Sequence, residues 1–300
     1  MPRVIEPGQT RTASLAETIE ALTGTGFNPG DEASLLHAAG WLQRLALDPR
    51  FLADYILAEL AERHTDDPFE SGYGPQVMML SPPRGDFFIR ANIWPSANET
   101  MLRASGGASF VYGLPHDHNF DFLTVGYFGP GYWSDYYEYD YGAVAGARGE
   151  PVPSMHFVER SRLEPGKVMH YRAHRDIHAQ HPPDALSVSL NIMHTAPART
   201  WHDQYSFDLT DRTVGRIVSS RSSEAFLRIV AALGGEEGLD LAHRFAASHP
   251  SDAMRLCALG ALAARESDPR ARDAVWARGE GSGSRLVATE ARRRRMALGA

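Results

Sequence analysis

Leu114-Pro-His116-Asp-His118-Asn-Phe-Asp121-Phe-Leu-Thr-Val-Gly126-Tyr127 is the stretch on which the reading of the fold turns. In an extended strand, side chains two apart face the same way, so His116 and His118 present their imidazoles together. Two imidazoles so placed can chelate one divalent ion, and imidazole suits iron, zinc, copper and nickel. The run that follows, Phe122 to Tyr127, has the β-branched and aromatic content of a buried strand closed at a glycine.

Downstream, Leu163-Glu-Pro-Gly166 reads as a tight turn, with proline presetting φ and glycine free to take positive φ. Val168 to Arg172 follow as a strand. Then come Asp176-Ile-His178-Ala-Gln180, a His181-Pro-Pro turn and the strand-like Ala185 to Met193. A His-x-His strand, a hairpin region, Pro-Gly, a strand and a single histidine before a last strand is an order that resembles the cupin superfamily, over roughly residues 85 to 210. The resemblance implies a jelly-roll β-barrel and places the second-motif histidine at His178. One departure matters: the family's first motif carries a glutamate four or five residues after the second histidine, and Phe122 and Leu123 stand there. The site is then similar in type to that of the three-histidine, cysteine-dioxygenase-like cupins, with His116, His118 and His178 as metal ligands. Three histidines leave coordination positions open for substrate, water or dioxygen. Asp121 could replace the glutamate only if a bulge turned it to the inner face.

Nine of the thirteen histidines fall between positions 116 and 202, so the third ligand has competitors. His174 and His178 would share a helix face, yet Pro165-Gly166 before them and His181-Pro-Pro after leave little room for a helix. Strand parity sets His170 and His174 on one face with Arg172, whereas His178 opens the return strand, where the resembling motif has its ligand. His170 and His174 are therefore expected beside the site or at the surface. His37, His156, His194 and His202 are expected to pack or to hydrogen-bond.

The 43% hydrophobic and 22% charged content is that of a water-soluble globular chain, long enough for one large domain or two modest ones. A formal charge of −7 and a pI near 6.0 argue against a nucleic-acid role. Cys257 is the lone cysteine, which excludes an intrachain disulfide and any cysteine-ligated zinc or iron–sulfur site. No apolar run approaches membrane-spanning length, and the N-terminus has no signal-peptide core, so a cytoplasmic protein is expected. No Gly-rich phosphate loop or Gly-x-Ser-x-Gly elbow occurs.

Residues 1 to 12 read as a polar lead-in. Ser14 to His64 read as helices broken at Thr23–Gly30 and Asp48-Pro49. Phe87 to Trp94 is strongly strand-like, and Arg90 inside it could clamp a substrate carboxylate bidentately or form a structural ion pair. Gly129-Pro-Gly131 marks a turn. The aromatic run after it, beginning at Tyr132, could line a pocket mouth, a sheet face or a dimer interface. From about Ser223 the texture becomes alanine, leucine and arginine, read as four short helices, with the arginine run at 292–295 a solvated helix end. The expected organisation is a helical cap over 1–70, a barrel over 71–215 and a helical region over 216–300.

The expected protein is mainly β with α extensions. Its expected activity is that of a mononuclear metal-dependent dioxygenase or hydroxylase acting on a small polar substrate. The expected ion is Fe(II), with Zn, Mn or Ni as alternatives; Arg90, Tyr132 and Gln180 are the candidate catalytic side chains. The expected partners are a small-molecule substrate and a second copy in a homodimer, with no nucleic acid and no membrane. The rivals are a non-redox Zn or Mn isomerase or lyase, and a small-ligand-binding regulatory module.

Overall fold

The structure, a computed structural model, describes residues 2–63, 76–195, 201–219 and 222–299. The chain divides into two compact units, Met1–Asp140 with Ser154–Pro197, and Tyr141–Pro153 with Ala198–Ala300.

The first unit opens with a short strand β1 (Arg3–Ile5) inside what reads as a lead-in. Helices α1 (Leu15–Thr25), α2 (Glu32–Ala46) and α3 (Phe51–Arg63) follow. Each start has a chemical cause. Ser14 and Glu17 form a reciprocal capping box, Asp31 accepts from the Ser34 N–H, and Asp48 accepts from the Arg50 and Phe51 N–H groups. The strands are β2 (Val77–Arg84), β3 (Phe87–Trp94), β4 (Phe122–Phe128), β5 (Tyr132–Glu138), β6 (His156–Leu163), β7 (Val168–Tyr171), β8 (Asp176–Gln180) and β9 (Ser187–His194); helix α4 (Thr100–Ser105) lies between β3 and β4.

The strands named pair antiparallel, in a sheet ordered β1-β7-β4-β9-β3-β2 and a second ordered β6-β5-β8. Strand β2 runs through Pro82 and Pro83, which an edge strand with register shifts tolerates because those positions need not donate. Period-two alternation sorts the larger sheet into two faces. Phe87, Ile89, Ala91, Leu123, Val125, Leu190 and Ile192 pack on Leu22, Phe27, Leu35 and Leu42 of the helical layer. The opposite face sends Trp94, Phe122, Met169, Tyr171 and Met193 against Tyr132, Tyr136 and Leu163 of the smaller sheet. Two antiparallel sheets closed over a shared interior, with helices outside, make the jelly-roll barrel that the sequence leads one to expect.

The Gly129-Pro-Gly131 turn joins β4 to β5. Gly129 and Gly131 have φ of 78° and 76°, and a Cβ on either would collide with a backbone carbonyl, that of Leu186 or Leu163. Gly131→Ala is expected to destabilise the protein by at least about 2 kcal/mol, through both strained φ and displaced backbone. Thermal unfolding checks this; an unchanged midpoint would contradict it.

The second unit holds a hairpin, β10 (Tyr205–Asp208) with β11 (Thr213–Ile217), and helices α5 (Ser222–Leu233), α6 (Gly235–Ser248), α7 (Asp252–Arg265), α8 (Pro269–Glu280) and α9 (Arg285–Leu298). Ser251, Asp268 and Ser284 cap the last three. Leu227, Ala242, Met254, Cys257, Leu262, Trp276 and Val287 form their common core. Burial raises the Cys257 thiol pKa, and its Sγ–H donates to the Glu224 carbonyl. No described helix is long and apolar enough to cross a membrane.

Candidate metal centre

The His-x-His segment is not the first half of β4, as its sequence leads one to expect. A bend at Asn119–Phe120 separates it from the strand. The segment is nevertheless extended and is tied to β8. His116 and His178 exchange both backbone hydrogen bonds at 3.0 Å, the Gly113 N–H donates to the Gln180 carbonyl, and the His174 N–H donates to the His118 carbonyl at 2.8 Å. Because the backbone is extended, Asp117 turns the other way. It is fully buried, and its carboxylate accepts the Tyr139 hydroxyl at 2.6 Å.

The result is a cluster of His116, His118 and His178 whose ligating nitrogens lie within 4.8 Å of one another. The Nε2 atoms of His118 and His178 are 3.0 Å apart, and those of His178 and His116 are 3.2 Å apart. His116 Nδ1–H donates to the Leu114 carbonyl at 2.8 Å, which leaves its Nε2 as a bare lone pair aimed at the other two rings. Burial lowers the pKa of all three imidazoles. For His118 the nearby charges of His116 and Arg90 add to it, and for His178 those of His116 and His118. All three are therefore neutral near pH 7, the form a metal requires.

The residues fit a divalent transition metal. Nitrogens each about 2.1 Å from one ion and about 90–110° apart lie about 3.0–3.4 Å from each other. Among the described residues the donor set is imidazole only. Phe122, four residues after His118, packs edge-on against it and stacks on Tyr171. Asp121 does not turn inward. Its Oδ1 is 3.2 Å from His170 Nε2, on the face of β7 opposite Met169 and Tyr171. His170 and His174 both stand outside the cluster, His174 in the β7–β8 turn at φ 59°.

Arg90 lies on the inner-face row of β3, opposite Asn191 of β9, which in turn is opposite Thr124 of β4. Its positive charge lowers the pKa of His118 and of the Tyr132 hydroxyl. Tyr132 is buried against Trp94, with ring centres 4.2 Å apart, and burial pushes its hydroxyl well above the usual tyrosine range. Gln180 Nε2 is 3.4 Å from His178 Nε2. Gln180 Oε1, Thr124 Oγ1 and Asn92 Oδ1 are buried without a hydrogen-bond partner among the described residues. Asn92, Thr124, Ser189 and Asn191 escape a ligand-centred reading of the sequence. Their signal is polar residues at every second position of apolar strands, as in Arg90-Ala-Asn92 and Ser187-Val-Ser189-Leu-Asn191.

An ion-pair network fixes the start of β8. Arg172 donates to Asp176 at 2.6 Å and to Glu138 at 2.9 Å, and Arg175 donates to Glu138 at 2.9 Å. Burial pushes the Glu138 pKa up, but hydrogen bonds from the chain's α-amino group, Arg172 and Arg175 outweigh it and bring it from the ordinary 4.5 down to about 2. Since the folded value lies below the unfolded one, this carboxylate stabilises the fold above about pH 4.5 and stops doing so as pH falls towards about 2. The wild-type urea midpoint is expected to fall more steeply across that window than that of Glu138→Gln; parallel curves would contradict the network's role.

No protein-family model matches the chain, and no curated protein matches it. Solved structures similar to it include a DMSP lyase, at 13% identity over 43% of this chain and 50% of that one, with a TM-score of 0.26. A cupin-like protein from Thermotoga maritima shares 11% identity over 47% of this chain and 89% of that one, with a TM-score of 0.24. A DMSP lyase from Ruegeria pomeroyi shares 10% identity over 66% of this chain and 79% of that one, with a TM-score of 0.25. The chain thus spans half the length of the first of these. At such identities and scores, the reading of the site rests on its own geometry.

Proposed function

We propose that the barrel is a mononuclear metal enzyme, an Fe(II)-dependent dioxygenase or hydroxylase, whose substrate is a small polar molecule carrying a carboxylate. The observation that supports it is the cluster of three neutral, converging imidazoles, with no carboxylate joining them among the described residues. A divalent ion held by His116, His118 and His178 would supply Lewis acidity and, as iron(II), dioxygen chemistry at its open positions.

The chain's own residues do the rest. Arg90, on the inner-face row of β3, is the group that binds an anionic substrate, its guanidinium fork matching a carboxylate. Tyr132, kept protonated by burial, holds a proton near Arg90 that it can donate to an oxygen gaining negative charge. Gln180 Oε1 and Thr124 Oγ1 offer acceptors that orient a polar substrate. Trp94, Phe122 and Tyr171 exclude water and strengthen these polar contacts.

Elemental analysis of anaerobically purified protein, paired with oxygen uptake on small carboxylates, tests the reading. Iron with substrate-dependent uptake supports it. Zinc or manganese without uptake would replace it by a lyase or isomerase, since an all-imidazole set also suits zinc.

A further inference from the structure

Helix α5 in the second unit presents an apolar surface that the metal reading does not use. Leu227 and Ala231 pack into the helical core. The other side carries Phe226, Ile229, Val230 and Leu233, exposed by 62, 54, 37 and 82%. Their i, i+3, i+4, i+7 spacing sets them on one stripe. Ser222, Ser223, Ala225 and Ala232 are exposed along its borders, so no charge interrupts it. Arg228, the exposed charge of this helix, projects about 150° from the stripe's centre. A helix that opens a stacked array ordinarily turns a polar face outward. Here the exposed apolar area is on the order of 400 Å², the size of a functional patch.

We propose that this stripe is a contact between two copies of the chain, formed by antiparallel pairing of α5 with its counterpart about a two-fold axis. In that arrangement the stripe is complementary to itself. With the axis at Ile229 and Val230, Phe226 of one copy lies beside the partner's Leu233. A surface without charge needs no partner of opposite sign, and an apolar stripe symmetric about its own midpoint matches a second copy directly. Each copy brings about half of the roughly 800 Å² per partner that a stable interface buries. The dimer is therefore concentration-dependent and not permanent.

Sedimentation velocity on the full chain between about 1 and about 100 µM tests this. A monomer–dimer equilibrium is expected, and Ile229→Asp should weaken it at least tenfold while leaving the far-ultraviolet circular dichroism unchanged. Val230→Cys, next to the axis, is expected to form an interchain disulfide on mild oxidation. Phe226→Cys, more than about 7 Å from its own counterpart, is expected not to form one. Wild-type protein, whose Cys257 is buried, serves as the control. A monomer at every concentration, or a dimer as tight in Ile229→Asp as in wild type, would overturn the proposal. Disulfides in both Phe226→Cys and Leu233→Cys would overturn the antiparallel pairing.

Discussion

His178→Ala protein is expected to retain no stoichiometric metal, whereas His174→Ala protein keeps most of it. His178 Nε2 is within 3.2 Å of both other Nε2 atoms, so its loss removes one of the three donors that the described residues bring together. That should cost well beyond the roughly 10–100-fold expected of a residue that only supports a ligand. His174 touches the site through its backbone, by the N–H donated to the His118 carbonyl, and alanine keeps that N–H. His174 also holds a positive φ that a non-glycine residue adopts at some cost, so Gly at this position is the cleaner control. His116→Ala and His118→Ala are expected to weaken binding at least about tenfold. Metal titration of folded variants checks all four. Equal affinity for His178→Ala and His174→Ala would remove the assignment.

Arg90→Met is expected to leave the metal in place and to weaken a carboxylate ligand by about 2–5 kcal/mol, roughly 30-fold to several-thousand-fold. The size follows from the setting. Arg90 sits on the inner-face row of β3, where its charge acts on His118 and Tyr132, and methionine keeps the length of the side chain but removes the guanidinium. Lysine should recover only part of the affinity, because an ammonium cannot supply the guanidinium fork. Calorimetric titration of metal-loaded protein with small carboxylates reads the effect directly. Affinity equal to wild type would return Arg90 to a structural role.

Much of the barrel was legible because its signals are local. Phe87–Trp94 and Ser187–His194 alternate at period two, and the Gly129-Pro-Gly131 and Pro165-Gly166 turns carry their own backbone chemistry. What escaped is either short or set by distant partners. Strand β1 is three residues long and exists because it pairs with β7. Helix α4 has six residues, too few for periodicity. Helix α9 read as a solvated arginine run, yet Leu286, Val287 and Ala291 form a buried stripe beneath the arginines. The His116–His118 pair was readable from its spacing, and His178 only from the order of elements that the chain resembles. The backbone exchange that brings His116 to His178, and the inner polar row that surrounds Arg90, depend on strand order, which spacing does not encode.

The central claim is that three neutral histidines hold one divalent ion. The most direct test is the metal content of wild-type protein purified without oxygen and dialysed against metal-free buffer. One equivalent of iron, zinc, manganese or nickel per chain is the predicted result. Protein that is folded, carries none, and takes up none when the ions are added back would contradict it.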